Sequence, residues 1–105
     1  KLINEIFSNS KSLNIFPFII KYINYNEKLN LYSKTLISVP KSKIRTAVNR
    51  NLIKRRIKES YRSNKSIIKN HNLLIAFLYN SDEVLDYKII LDSILKILKK
   101  IKKSD

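Results

Sequence analysis

Residues 40–62 read PKSKIRTAVNRNLIKRRIKESYR, and their spacing indicates a long amphipathic helix over residues 44–64. Ile53, Ile57 and Tyr61 recur every four positions, so they form one row of a helix that can face a core. The same stretch carries nine basic residues and a single acid. A helix of this kind buries its apolar row and presents a contiguous cationic face on the opposite side.

Toward the N-terminus, apolar patterns predict two strands before this helix. The predicted elements are a short helix over 2–8, a turn over 8–12, a strand over 15–25, a hairpin connection over 24–30 and a strand from 31 or 32 to 39. The connection suggests that the two strands pair antiparallel. Pro40 ends the second strand because proline lacks the ladder donor. Ser42 is then the candidate N-cap of the long helix.

Toward the C-terminus, a strand is predicted from residue 71 or 72 to residue 79. Its apolar run is almost unbroken, as expected when both faces of a strand are covered. The triplet Ser81-Asp82-Glu83 resembles a helix start, and a 3.6-residue pattern predicts a helix over 84–103. Alternating strands and helices indicate a small α+β or α/β sandwich.

Composition favours an RNA or DNA partner. The 105 residues fit one domain over 1–105, and 22 Lys+Arg against 8 Asp+Glu give a formal charge of +14. Such an excess is destabilising without a polyanion, so nucleic acid is the leading partner and an anionic membrane surface the second. Cysteine is absent, and a lone histidine, His71, cannot build a metal site. Without an apolar run of about 18 residues or a signal peptide, we expect a cytoplasmic protein with no membrane partner.

The candidate RNA-binding residues lie in and just before the long helix. They are Lys41, Arg45, Arg50, Asn51, Lys54, Arg55, Lys58 and Arg62. Planar guanidinium groups suit phosphates, and the amide of Asn51 suits a base edge or a 2′-hydroxyl. The pattern alone leaves two alternatives open, because a charged helix is often a solvated face or a membrane-surface helix.

The order of these residues resembles the signature of the ribonuclease P protein family. The matching positions are Ala47-Val48-x-Arg50-Asn51-x-x-Lys54-Arg55-x-x-Lys58-Glu59-x-Tyr61-Arg62, preceded by Ile37-Ser38-Val39-Pro40-Lys41. Weaker similarity covers nearly the whole chain. Three positions depart from the family's pattern: Leu52 stands in place of an arginine, Lys58 in place of a frequent arginine, and Leu36 in place of a frequent glycine. The family's basic N-terminal extension is also missing, and residue 1 is not Met, so we expect the gene product to begin earlier.

The resemblance implies a fold and a function. The fold is an α–β sandwich like domain 2 of ribosomal protein S5, with about four strands, about three helices and a left-handed crossover around the signature helix. The function is that of a protein subunit which helps a catalytic RNA and bound Mg²⁺ to remove the 5′ leader of precursor tRNA. The protein would act as a monomer in a complex of one RNA and one protein.

The resemblance also assigns Ile3, Phe7, Ile19 and Lys21 to a cleft for the single-stranded leader. Phe7 could instead be a core residue, as we expect for Phe18 and Tyr61. No protein residue is assigned to catalysis, since the sequence offers no nucleophile–base pair or metal-ligand cluster. Asp82, Glu83 and Asp86 are interpreted as a helix start, and Mg²⁺ is expected to be held mainly by the RNA subunit.

Two rival functions remain open. A ribosomal or assembly-type RNA-binding protein shares the net charge, but it has no reason to carry the ordered signature. A membrane-surface or partner-helix protein would use the apolar stripe of residues 84–103. The same stripe can instead pack against the predicted sheet, because the apolar face of a small sheet must be buried by another element.

Overall fold

The computed structural model describes residues 11–24, 34–68 and 73–104. The predicted helix over 2–8 and His71 lie outside the described residues, as does the 24–30 connection after its first residue. Within the described part, the elements are β1 (Lys11–Ile15), β2 (Phe18–Asn24), β3 (Lys34–Ser38), α1 (Ala47–Asn64), a 3₁₀ turn (Lys65–Ile68), β4 (Leu73–Tyr79) and α2 (Tyr87–Ser104). The four strands form one mixed sheet in the order β1-β2-β4-β3, so the predicted α+β class is confirmed.

The strand predicted over residues 15–25 is wrong in its extent, because the chain reverses direction inside it. A turn at Phe16 and Pro17, joined by a cis peptide bond, separates β1 from β2, and the two strands pair antiparallel. Lys11 and Ser12, predicted as part of a turn, belong to β1. Leu13 and Ile15 are the only apolar residues of β1, so its alternation is too short to predict a strand.

The predicted antiparallel pairing of the strands before and after residues 24–30, which are β2 and β3, is also wrong. β4 lies between β2 and β3, antiparallel to the former and parallel to the latter, so that both Ile20 and Ile37 are registered opposite Phe77. The most apolar strand thus takes an interior place in the sheet. The connection from β3 to β4 is a crossover that contains α1, and its left-handedness stays a prediction.

One face of the sheet packs against both helices and forms the core. Alternate residues of β4 point into this core, and Ile75, Phe77 and Tyr79 are at most 1% exposed. Phe18 packs edge-on against the rings of Phe77 and Tyr79, with centroid distances of 5.9 Å. The helices contribute fully buried side chains from Ile53, Ile57, Ile90, Ile94, Ile97 and Leu98. The assignment of Phe18 and Tyr61 to the core is confirmed.

The opposite face of the sheet is covered only in part, which corrects the expectation for β4. Leu74 is buried there, Ala76 is half-buried, and Leu78 is 36% exposed. Leu36 of the neighbouring β3 is 39% exposed on the same face. The apolar run of β4 therefore has a covered side and a side that remains accessible.

α2 begins later than predicted. Asp86 caps the helix, since its Oδ1 accepts a hydrogen bond of 3.0 Å from the N–H of Ile89. At the predicted start, the hydroxyl of Ser81 accepts a hydrogen bond of 3.1 Å from the N–H of Glu83, which makes a local turn instead. Such local hydrogen bonds compete with helix formation and resemble caps in sequence. The helix then runs through most of the predicted range.

The hydroxyl of Tyr79 connects the end of β4 to the loop before α2. It donates a hydrogen bond to the carbonyl of Glu83 and accepts one of 3.2 Å from the N–H of Leu85. Burial raises the pKa of Tyr79 above its ordinary value, although the bond from Leu85 and the charge of Arg56 act in the opposite direction. Burial also raises the pKa of Tyr61. Both tyrosines therefore stay protonated at neutral pH.

Candidate nucleic-acid interface

The loop before α1 is ordered by backbone hydrogen bonds and ends in a cap that differs from the predicted one. The carbonyl of Pro40 accepts hydrogen bonds of 3.0 Å from the N–H groups of Lys43 and Ile44. α1 starts at Ala47, and its N-cap is Thr46, whose hydroxyl accepts a bond of 3.3 Å from a first-turn N–H. The predicted N-cap at Ser42 and start at residue 44 are therefore wrong. Ile44 is buried, so the chain anchors its side chain before the helix begins.

α1 places its apolar row and its charges on opposite sides, as predicted. Ile53 and Ile57 are completely buried and Tyr61 is 9% exposed, and all three belong to the core. Of the candidate residues on α1, Arg50 and Lys54 are half-buried, and the other four are exposed. We call this surface the cationic face of α1: Asn51, Lys54, Arg55, Lys58 and Arg62.

Arg50 and Arg56 use hydrogen bonds to hold the interface in shape. Arg50 Nη1 lies 3.0 Å from the carbonyl oxygen of Ile44 and 2.8 Å from that of Arg45. Arg56 donates to the carbonyl of Leu85 and thereby connects α1 to the loop before α2. The RNA contact of Arg50 stays a prediction, and in the structure its side chain fixes the loop before α1. The sequence carries no signal for either bond, because the acceptors are backbone groups.

Arg62 forms an ion pair with Glu59, the only acid of α1. Arg62 Nη2 is 2.9 Å from both carboxylate oxygens, and the two side chains are 70% and 49% exposed. Exposed pairs of this kind contribute roughly 0–1 kcal/mol, so a phosphate can replace the carboxylate at little cost. Arg55 and Lys58 form no ion pair within the described part of the chain.

Two further predicted residues extend the positive charge beyond the N-terminus of α1. Lys41 and Arg45 are exposed in the loop before the helix. Arg45 lines a shallow cavity of about 460 Å³ together with Lys43, Thr46 and Asp82. Lys43 and Asp82 are 4.0 Å apart, so one cation of this loop is partly balanced. The loop thus continues the cationic face of α1 with mixed charges.

Two of the four residues predicted to line a leader cleft, Ile19 and Lys21, lie on the accessible face of the sheet. Ile19 and Lys21 line a cavity of about 220 Å³ there, whereas Ile3 and Phe7 lie outside the described residues. The cavity is also lined by Leu36, Ser38, Ala76, Phe77 and Leu78. These five residues are not predicted from the sequence as cleft residues, because the expected pairing of β2 with β3 leaves no place for β4 between them. The register of β2 on β4 brings Ile19 beside Leu78 and Lys21 beside Ala76.

The three positions that depart from the family pattern differ in burial and in location. Leu52 is half-buried on α1, and Lys58 is exposed on the cationic face. Leu36 lines the sheet cavity, where its side chain adds apolar surface to the floor. The cavity therefore offers apolar surface with one ammonium group, that of Lys21.

Comparisons with known proteins agree on one family. The family model for ribonuclease P matches residues 1–102. A ribonuclease P protein component from Porphyromonas gingivalis is 33% identical over 105 residues, covering 94% of this chain and 77% of the relative. The RNase P protein from Thermotoga maritima superposes with a TM-score of 0.79 at 25% identity, over 93% of this chain and 92% of that chain. The Staphylococcus aureus protein gives a TM-score of 0.76 at 28% identity, over 92% and 88%.

Proposed function

The chain belongs to the ribonuclease P protein family, and on this premise we propose that it binds the catalytic RNA of ribonuclease P and the 5′ leader of precursor tRNA. In this proposal the protein assists the magnesium-dependent endonucleolytic removal of the leader, and the RNA subunit carries out the chemistry. One protein joins one catalytic RNA in the cytoplasm.

The observation that carries the proposal is the cationic face of α1. A buried apolar row fixes the rotation of the helix, so the charges opposite it must point away from the core. Arg55 and Lys58 are exposed and have no ion-pair partner among the described residues. Each cation that neutralises a phosphate releases counterions, which is the main source of affinity for a nucleic acid. Asn51 adds a neutral donor and acceptor for a base edge or a 2′-hydroxyl.

The cavity on the accessible sheet face supports the leader as the second ligand. Its apolar floor can contact unpaired bases, and Lys21 supplies a positive charge at the side of Ile19. Ile3 and Phe7 complete the proposed cleft on the strength of the family resemblance. Because α1 packs against the other face of the sheet, the two proposed RNA ligands occupy opposite sides of β2 and β4.

Magnesium enters the proposal as an ion of the RNA subunit. Within the described residues, no three His, Cys, Asp or Glu side chains are grouped so that they could hold a metal ion. The nearby acids have other partners: Asp86 caps α2, and Asp82 lies 4.0 Å from Lys43. The protein's contribution would be to neutralise phosphates, which lets the RNA fold and bind Mg²⁺ at a lower bulk concentration.

The deciding experiment is cleavage of precursor tRNA by a bacterial ribonuclease P RNA at low magnesium, with and without this protein. We expect the protein to stimulate release of a correct 5′ leader. Equal binding of mature and leader-bearing tRNA, with no stimulation of the cognate RNA, would instead favour a ribosomal or assembly-type RNA-binding protein.

Arg55→Ala tests the cationic face of α1 directly. We expect weaker binding to the catalytic RNA and a log–log salt slope that is smaller by about 0.7–0.9, the value for one lost phosphate contact. Lys11→Ala is the matched control, because Lys11 is equally exposed but lies on the edge strand β1. A slope that is the same in Arg55→Ala and in the unaltered protein would remove Arg55 from the RNA contacts.

A further inference from the structure

α2 carries a second concentration of positive charge that the proposed function does not use. The helix contains six lysines and one acid, Asp92. All six lysines are exposed. We call them the lysine face of α2: Lys88, Lys96, Lys99, Lys100, Lys102 and Lys103. They follow the side of the helix opposite the buried Ile90, Ile94 and Ile97.

Within the described part of the chain, no acidic side chain pairs with the charges of this face. None of the six lysines forms an ion pair or a hydrogen bond with a residue that the structure describes. The only acid within α2 is Asp92 in its second turn, so residues 93–104 contain five lysines and no acid; the next acid in sequence is Asp105. By contrast, Arg50, Arg56 and Arg62 of α1 all donate hydrogen bonds within the protein. Much of the uncommitted charge of the described chain therefore lies on α2.

A helix dipole explains only part of this arrangement. Lysines in a last turn stabilise a helix, but the effect falls off within that turn. Lys88, Lys96 and Lys99 lie before the last turn, so their charge has no such role. Lys88 and Lys103 are separated by about 22 Å along the axis at 1.5 Å per residue. Over this length a nucleic-acid backbone presents several phosphates.

We propose that the lysine face of α2 is a second binding surface for the phosphate backbone of the catalytic RNA. Lysine is a flexible point charge without the planar fork of arginine, so this surface suits phosphates in any sequence rather than base edges. The inference rests on the proposed function, because it takes the catalytic RNA as its ligand.

The position of α2 decides between the two RNA ligands. Both helices pack on the face of the sheet that carries Phe18 and Phe77, whereas Ile19 and Lys21 line the cavity on the other face. A leader lying in that cavity is separated from α2 by the sheet. An RNA that contacts the cationic face of α1 is on the same side as the lysine face of α2, and the proposed ligand of α1 is the catalytic RNA.

The test is the salt dependence of binding to the catalytic RNA. The variant Lys96→Gln/Lys99→Gln/Lys103→Gln removes three charges while keeping the helix, because glutamine and lysine have similar helix propensities. We expect its log–log slope to fall by about 2–3 and its affinity at low salt to fall about tenfold or more. The same triple substitution to arginine keeps the charges and should bind like the unaltered protein. Circular dichroism is the check that all variants are equally folded.

A single-charge comparison controls for the lower net charge. Lys99→Gln should lower the slope by about 0.7–0.9, while Lys11→Gln on the edge strand should leave it unchanged. With saturating protein, the triple glutamine variant should still distinguish leader-bearing from mature tRNA, because the leader cavity is untouched.

Three outcomes would overturn the proposal. If the triple glutamine variant keeps its slope while Arg55→Ala loses part of it, the lysine face is only solvated and the proposed function stands. If the triple variant keeps its RNA binding but loses binding to phosphatidylglycerol vesicles, the face serves a membrane surface. If the unaltered protein neither binds the catalytic RNA nor stimulates cleavage, the proposed function fails and this inference fails with it.

Discussion

Tyr79→Phe removes one oxygen from the core while keeping the ring that packs there. The ring lies 5.9 Å from that of Phe18, and this contact is preserved in the variant. The lost hydroxyl leaves the N–H of Leu85 and the carbonyl of Glu83 without their partner. A hydrogen bond contributes about 0.5–1.5 kcal/mol net, and a buried group left unsatisfied costs about 1–3 kcal/mol. We therefore expect a loss of about 2–3 kcal/mol in the free energy of unfolding.

The loss is measured by urea and thermal unfolding followed by circular dichroism. For a domain of this size, 1 kcal/mol corresponds to roughly 4–8 °C, so Tm should fall by about 10 °C or more. Tyr61→Phe is the matched control. Tyr61 is also buried against Phe77, but its hydroxyl forms no hydrogen bond with any residue in the described ranges.

The control should change the free energy of unfolding by no more than about 0.5 kcal/mol, because no buried partner loses its hydrogen bond. If Tyr79→Phe were no more destabilising than Tyr61→Phe, the connection from β4 to the start of α2 would not depend on the Tyr79 hydroxyl. The result would refute the reasoning from unsatisfied backbone groups.

Three other predictions follow from the same structure. Burial raises the pKa values of Tyr61 and Tyr79 above 10.0, so the folded state holds these protons more tightly. Their contribution to the free energy of unfolding is complete below about pH 10 and is lost as the pH rises further. Between about pH 9 and 11.5, the free energy of unfolding should therefore fall less in the variant Tyr61→Phe/Tyr79→Phe than in the unaltered protein. Thr46→Ala should cost about 1 kcal/mol as the loss of an N-cap, and a similar cost in Ser42→Ala would contradict the assigned cap. Ser93→Ala should cost roughly 1 kcal/mol, because Ser93 Oγ lies 2.7 Å from a carbonyl of the β1–β2 turn; unchanged urea unfolding would show that this bond is dispensable.

The helices α1 and α2 and the strand β4 could be predicted because their sequence signals are local. The i, i+4 row of Ile53, Ile57 and Tyr61 repeats at the period of a helix, and each of these side chains is buried in the core. In the same way, the apolar run of residues 73–79 predicts β4, and the amphipathic pattern after residue 84 predicts α2. In each case, the residues that form the pattern are neighbours along the chain, so their spacing determines which of them share a face.

Strand pairing and helix ends could not be predicted in the same way. β1 has only five residues and ends at a turn beside Pro17, so its apolar–polar alternation covers too few residues to give a strand signal. β3 pairs with a strand that follows it by more than thirty residues, and no local pattern encodes that partner. Ser42 and Thr46 are both plausible caps by residue type. The backbone geometry of the loop after Pro40 selects Thr46.

For the site, the sequence by itself determined where the charge lies, and the tertiary structure decided which charges are available. The cationic side of α1 follows from periodicity and composition alone. That Arg56 donates to the carbonyl of Leu85 depends on a loop that folding brings beside the helix, and that Arg50 donates to the carbonyls of Ile44 and Arg45 depends on how the chain turns just before the helix. The sheet cavity likewise exists only because β4 aligns Ile19 with Leu78. Side-chain type and spacing are local properties of the chain, whereas the bond from Arg56 to Leu85 and the sheet cavity require residues that are distant in sequence to meet.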